Sequence, residues 1–319
     1  MADRLRYVPP GSLVEISVRV LMSFFHLPRT VEFRRMVVGT LEHAQRMYGV
    51  RLHFGVMLSS HYHLLATVDD AEQLARFMNV VNSKIAREAC RHFGWSEKFW
   101  GGPYSSAIVS SEPEMQVARL LYLMAHGVKE GIVERMSDWT GLHGATSLVN
   151  GEPLEGEYFD RTAFHHARAA AKRARNRGEK VAPVRASDFK EQMTLTLEPL
   201  PCWIDRPEKA WRADVAAMVL KIENEAAEER ERSGRKVVGM EAALEESPQQ
   251  VPVRRKKSPA PIVHALSKAV RLQMLASYRE FVRAFREAAD RLRSGELGAA
   301  RLFPQGSFPA GLPFVPVGA

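Results

Sequence analysis

The sequence predicts an α+β protein, an antiparallel sheet with helices followed by a mainly helical extension. Three observations carry this. The first 135 residues alternate between period-two and helical apolar spacing. Glycines stand where the helical stretches should stop. Beyond residue 150 the strand signals give way to charged stretches rich in alanine and arginine.

Each element follows in turn. "SLVEISVRVL" sets Val14, Ile16, Val18 and Val20 on one face and Glu15, Ser17 and Arg19 on the other, which is a strand. "TVEFRRMVVGTLEHAQRMYG" has helical spacing through Val31, Phe33, Met36, Val37, Leu41 and Ala44, with Gly49 as its stop. "VRLHFGVML" alternates through Leu52, Phe54, Val56 and Leu58, and a Ser59-Ser60 turn leads to a hairpin partner, "HYHLLATV". A long amphipathic helix follows from Ala71 to Phe93, built on Leu74, Phe77, Met78, Val81 and Ile85 and stopped at Gly94. After "WGGPYS" comes a short strand, "SSAIVS", and "EPEMQVARLLYLMAHGVKEGIV" turns helical again.

Strand, helix, strand, strand, helix, strand is the order of the split βαβ, or ferredoxin-like, plait. Both helices are expected on one face of the sheet, leaving the other face open. The expected divisions are a plait at 1–145, a basic helical extension at 146–238, a proline-punctuated linker at 239–262 and a final helix with a Pro/Gly-rich tail at 263–319. The helix is expected from about 262 to 293, through Val263, Leu266, Val270, Met274 and Phe281.

A net charge of +8 and a pI near 9.6 favour a polyanionic partner, nucleic acid first. No run approaches the roughly 18–20 apolar residues of a membrane span, and the N-terminus lacks a signal-peptide pattern. Cys90 and Cys202, far apart, offer neither a disulfide framework nor a CxxC site, as in a reduced cytosolic protein.

His61 and His63 lie at i and i+2 on a strand, so their side chains share a face, with Tyr62 turned toward the helices. Two imidazoles separated by roughly 6–7 Å of strand rise can converge on one divalent metal. Two unrelated surface histidines are the alternative. Tyr122 and His126 are i, i+4 neighbours. A tyrosine hydroxyl beside a metal-bound phosphate is a competent nucleophile, whereas a boundary aromatic needs no such role. His165-His166 falls on a basic helix and reads as a solvated face. Trp100 reads as core packing rather than base stacking.

Taken together in this order, the residues resemble the HUH single-tyrosine transposases, and among them the REP-associated tyrosine transposases and insertion-sequence relatives. The resemblance spans roughly residues 10–140. It rests on His61-Tyr62-His63 after "GVMLSS", on "KFWGGPYSSAIVS", and on "YLMAHGVKEGIVERMSDW" with Val128, Gly131, Val133 and Trp139 in register. Four positions depart from the family pattern. Ser60 stands for an asparagine, His126 for an asparagine or glutamine, Gly127 for a proline, and "TGLHGA" for a serine-rich stretch.

The resemblance implies an HUH-type plait at 1–145 in which His61, His63 and His126 hold Mg²⁺ or Mn²⁺ and Tyr122 is the nucleophile. The substrate would be single-stranded DNA near a hairpin, cut to a 5′-phosphotyrosine and a free 3′-hydroxyl. Phosphate contacts are expected from Arg19, Arg119, Arg168, Lys172, Arg173, Arg175 and the Arg254, Arg255, Lys256, Lys257 cluster. In related dimers the tyrosine helix can serve the partner's histidines, which makes a homodimer compatible. The protein is expected in the bacterial cytoplasm, at the nucleoid, and not in a membrane. The alternative is a catalytically silent, transposase-derived hairpin-binding protein. An RNA-binding plait is disfavoured because the RRM aromatic signature is missing from "RLHFGVML" and "SSAIVS".

Overall fold

β1 (Ser12–Arg19) is the hub of the sheet, because its alternate apolar residues Val14 and Ile16 have partners on both sides. The computed structural model describes residues 5–249 and 261–307. α1 (Val31–Tyr48) starts at a Thr30 cap and ends at a left-handed Gly49, as its sequence predicts. β2 (Arg51–Met57) and β3 (His61–Val68) form an antiparallel hairpin. α2 (Ala71–Phe93) is capped by Asp70 and stopped at Gly94. β4 (Ser105–Val109) returns along the free side of β1. The order β2-β3-β1-β4 has every neighbouring pair antiparallel.

The β1–β3 register sets Val18 opposite Tyr62 and Ile16 opposite Leu64, toward the α1 and α2 layer. The Tyr62 hydroxyl donates to Asn82 Oδ1 on α2 at 2.5 Å, which satisfies the one polar atom of a fully buried ring. Trp100 also packs here, its ring 5.7 Å from that of Tyr62 and its Nε1 donating to the Asn82 carbonyl. The same register puts Ser17 opposite His63 and Arg19 opposite His61, on the other face.

That other face is not open. α3 (Pro113–Met124) lies across it and buries most of its central strip. The reason is physical: Leu120, Leu123 and Met124 are apolar and need a surface, and the second face supplies one. α3 is also shorter than its sequence predicts. It ends at Met124 because Gly127 takes φ +90°, a left-handed conformation that breaks the helix. His126 therefore sits in the turn after the helix.

Past α3, α4 (Ala145–Asn150) leads to β5 (Leu154–Phe159), α5 (Arg161–Asn176) and β6 (Lys190–Leu195). β5 and β6 pair as a separate two-stranded sheet against α1, a feature absent from the helical extension predicted for 146–238. Their pairing is non-local, across the whole of α5, and most of their residues are polar or half-exposed, so no local pattern announces them. The sheet approaches α1 at Gly39 and Gly156, where the two backbones touch. A Cβ on Gly39 would stand 2.4 Å from the Glu157 carbonyl carbon. α6 (Glu208–Ser233) packs against α3 and α4, and α7 (Met240–Glu245) follows.

The expected basic cluster Arg254, Arg255, Lys256 and Lys257 lies outside the described residues. Val263 is not helical. It belongs to β7 (Val263–His264), which pairs parallel to β4 and makes a fifth strand. The last helix, α8 (Lys268–Arg293), begins only after Ser267, whose side chain caps Val270. Glu112 accepts from the Leu266 and Ser267 amides at 2.9 and 3.0 Å, clamping this junction to the N-terminus of α3. No helix among the described residues is long and apolar enough to cross a membrane.

Candidate metal centre and its tyrosine

Two separate pieces of chain, β3 and the turn after α3, deliver three imidazoles to one point. Strand alternation puts His61 and His63 on the face under α3, and the Gly127 turn swings His126 down onto them. One ring nitrogen from each lies within 4.8 Å of the others. Opposed ligands on one ion bound at about 2.1 Å stand about 4.2 Å apart, so small rotations suffice for a shared metal. The ring centres of His63 and His126 are 5.0 Å apart and nearly parallel at 15°, and His61 meets both edge-on.

The donor chemistry fits a cation. His63 Nδ1 and His126 Nε2 are buried and make no hydrogen bond among the described residues. Burial pushes His61 down to about 3, with the neighbouring His126 and Arg19 adding to the shift. Burial likewise holds His63 well below its ordinary range, helped by His61 and His126. Both rings are thus neutral near pH 7 with lone pairs available, as a metal ligand must be. The outer hydrogen bonds aim the other nitrogens. His126 Nδ1 lies 3.1 Å from Glu130 Oε1, and a carboxylate can only accept, so Nδ1 donates and Nε2 is the nitrogen left to face a metal. Ser60 Oγ lies 3.0 Å from His61 Nδ1 and occupies the same supporting position for that ring.

Glu130 is itself fixed. Burial alone would raise its carboxyl, but hydrogen bonds from His126 and the Gly127 amide outweigh this and lower it. Tyr122 stands beside His126, ring centres 5.2 Å apart and steeply inclined, with 42% of the residue exposed. A side chain exposed to this degree can meet a solvent-borne partner.

Sequence reasoning missed the second layer. Glu15, buried on β1, accepts from Arg119 Nε at 2.6 Å and faces His264 Nε2 at 3.4 Å and His63 Nδ1 at 3.8 Å. His264 arrives from β7, on the far side of the chain from β1 in sequence, and is held below its ordinary range by burial and by Arg119. The only local signal for Glu15 is an acidic residue in the middle of an apolar strand on the same face as the histidines.

The expected DNA-contacting cations divide into three groups. Arg19 is exposed and lies opposite His61, at the mouth of the centre. Arg119 is only 16% exposed, with its charge engaged by Glu15. Arg168, Lys172, Arg173 and Arg175 lie on α5, which is tied to α2 through Arg161 and Glu88 and so lies on the opposite side of the sheet from the histidines. His165 and His166 are exposed there too and join no cluster of ligands among the described residues.

No protein-family description matches the chain, and neither does any curated protein. Among solved structures, it is similar to a REP-associated tyrosine transposase bound to a REP hairpin. That likeness has 17% identity and a TM-score of 0.34, over 44% of this chain and 80% of that one. It is also similar to a presumptive transposase of Deinococcus radiodurans R1, with 17% identity and a TM-score of 0.26 over 38% of this chain and 96% of that one.

Proposed function

We propose that the chain is a metal-dependent single-stranded DNA endonuclease and strand transferase of the HUH type, cutting near a DNA hairpin through a 5′-phosphotyrosine. One observation carries the reading: His61, His63 and His126 converge with free nitrogens beside a half-exposed Tyr122. These three side chains would hold Mg²⁺ or Mn²⁺, which when bound polarises the scissile phosphate and offsets its charge.

The protein's own groups account for the rest. Glu130 and Ser60 keep two of the rings turned toward the centre. Arg119 fixes the Tyr122 ring. The Tyr122 oxygen attacks phosphorus in line and displaces the 3′-oxygen, which leaves as a hydroxyl. A 3′-hydroxyl of another strand can attack the same linkage, and one ester replaces another without external energy. Arg19, at the mouth of the centre, would supply a sequence-independent phosphate contact beside the cut. The α5 cations, on the opposite side of the sheet, would meet only DNA backbone that wraps around to them.

In this reading residues 1–145 are a ferredoxin-like catalytic domain, with 146–238, 239–262 and 263–319 as appended segments. The setting would be nucleoid DNA in the cytoplasm. Tyr122 stands next to its own chain's His126, so a homodimer is not needed to assemble the site.

The test uses labelled single-stranded hairpin DNA with Mn²⁺ and a denaturing gel. Wild-type protein is expected to form a covalent adduct that Tyr122→Phe abolishes. No adduct across a broad hairpin library leaves a DNA-binding protein without cutting activity. An adduct that persists in Tyr122→Phe removes the tyrosine from the mechanism.

A further inference from the structure

Tyr122 borders a second feature that the metal centre does not use, a cleft of about 510 Å³ between α3 and α6. On α3 and its C-terminal cap residue, its wall is the stripe Ala118, Leu121, Tyr122 and Ala125, at i, i+3, i+4 and i+7, so these side chains face one way. Across from them α6 presents Ile222 and Ala226. The small alanines leave the space between the helices unfilled. One end is closed by the chain after α6, where the Val238 and Gly239 amides donate to the Gly131 and Ile132 carbonyls at 2.9 and 3.0 Å.

The rim is cationic. Lys129, Lys221, Arg230, Arg235 and Lys236 line it, against Glu130, Glu225 and Glu229. All three carboxylates are engaged, Glu130 by His126, Glu225 by Lys221 and Glu229 by Arg232. Lys129, Arg230, Arg235 and Lys236 have no ion-pair partner among the described residues. Arg230 goes further, because its Nη1 is buried and makes no hydrogen bond among the described residues. A buried guanidinium nitrogen without an acceptor is costly, and a phosphate oxygen is the acceptor its fork geometry suits.

We infer that this cleft seats the unpaired nucleotide on the 3′ side of the cut, base against the Leu121, Ile222 and Ala226 surface and phosphate toward Arg230. The inference rests on the strand-transfer reading. Attack forms the Tyr122 oxygen–phosphorus bond and breaks the phosphorus–O3′ bond. The phenol proton goes to solvent and the departing 3′-oxygen takes one up. The nucleotide left on Tyr122 is the one 3′ of the cut, and the cleft is what Tyr122 borders. Its volume falls in the range of about 300–1,000 Å³ for sites that hold one small guest. A flat apolar surface with a cationic edge is the complement of a base and its phosphate. The seat would keep the covalent strand in place while the second strand enters, and would select the base at that position.

Two measurements on the full-length protein test this. The first is adduct formation on hairpin DNA with a randomised single-stranded flank, with the adducted strands sequenced. The second is anisotropy of a dye-labelled single-stranded oligonucleotide, with iodouracil crosslinks mapped to peptides. Wild type should show a base preference 3′ of the cut and crosslinks within α6. Ala226→Trp fills the cleft and should lower adduct yield at least tenfold, with Mn²⁺ affinity by calorimetry unchanged. Arg230→Gln, a milder change, should weaken oligonucleotide binding three- to tenfold and flatten its salt dependence by about one phosphate contact. Wild-type adduct yield and oligonucleotide affinity in both variants overturn the inference and leave strand transfer standing. If wild type makes no adduct yet crosslinks through α6 and loses affinity in Arg230→Gln, strand transfer falls and the nucleotide seat stands.

Discussion

Arg119 lies over the ring of Tyr122, its guanidinium carbon 4.2 Å from the ring centre. The same guanidinium donates through Nε to Glu15 on β1, and Glu15 also faces His63 and His264. One arginine therefore ties the tyrosine helix to the strand beneath the histidines. The arrangement is more than a stack of aromatic and cation, worth about 0.5–2 kcal/mol. It fixes where the Tyr122 ring can sit relative to the imidazoles.

Replacing Arg119 separates positioning from charge. Arg119→Ala leaves buried Glu15 without its strongest partner, and breaking such a pair costs about 3–5 kcal/mol. The expected result is a lower urea midpoint together with a loss of adduct yield. Arg119→Lys keeps a charge near Glu15 but not the planar fork, so it should recover much of the stability and little of the adduct rate. Equal recovery of both would mean that Arg119 serves the fold alone.

Glu130 makes a separate prediction about metal affinity. It orients His126 without being one of the three converging nitrogens, and losing such a partner typically costs about 10–100-fold in affinity. Glu130→Gln should weaken Mn²⁺ binding by that factor in calorimetry, while His63→Ala should abolish it. Saturating Mn²⁺ should raise the melting temperature of wild type, and a chelator should reverse the rise. Unchanged Mn²⁺ affinity in Glu130→Gln would remove it from the support of the metal centre.

How much of this is legible in the sequence depends on the range of the interactions. Period-two alternation in "SLVEISVRVL" and "HYHLLATV" yields strand positions and the shared face of His61 and His63, because pleat geometry is local. Gly49 and Gly94 mark helix ends for an equally local reason. Invisible are the pairings that only the folded chain creates. α3 covers the face expected to be open, His264 reaches Glu15 from beyond the linker, and β5 finds β6 across a helix. Gly127 stands out in the sequence as a departure within the motif. Its physical consequence, ending α3 so that His126 can turn inward, needs the backbone.

The junction between α1 and the second sheet should not tolerate a side chain. A Cβ at Gly39 would meet the Glu157 backbone carbon at 2.4 Å, and one at Gly156 would meet the Gly39 nitrogen at 2.3 Å. Backbone cannot give way as a side-chain tip can, so Gly39→Ala should destabilise by the upper part of the overpacking range, about 3 kcal/mol. Hydrogen exchange should show the loss first in β5 and β6, before β1 and β3. A uniform loss across both sheets would count against this local account.

Part of the pH dependence of stability comes from two buried histidines that are not among the three converging rings, His53 and His143. Burial pushes His53 down to about 4, partly offset by the Glu198 and Pro199 carbonyls, and pushes His143 down to about 4 in spite of a bond to the Met124 carbonyl. The unfolded chain binds these protons near pH 6.5 and the folded chain does not until about pH 4, so the unfolded state holds more protons between those values. Stability contributed by the two neutral rings is fully present above pH 6.5 and is lost as pH falls through about 4. Each ring is worth on the order of 3 kcal/mol across the window, since a tenfold difference in proton affinity between folded and unfolded chain is about 1.4 kcal/mol. Urea midpoints measured from pH 7.5 to 4.5 should fall steadily below about 6.5. In His53→Gln that slope should be shallower by up to one proton, because glutamine can meet Thr67 or Glu198 without titrating. A wild-type slope in His53→Gln would place the acid sensitivity elsewhere in the fold.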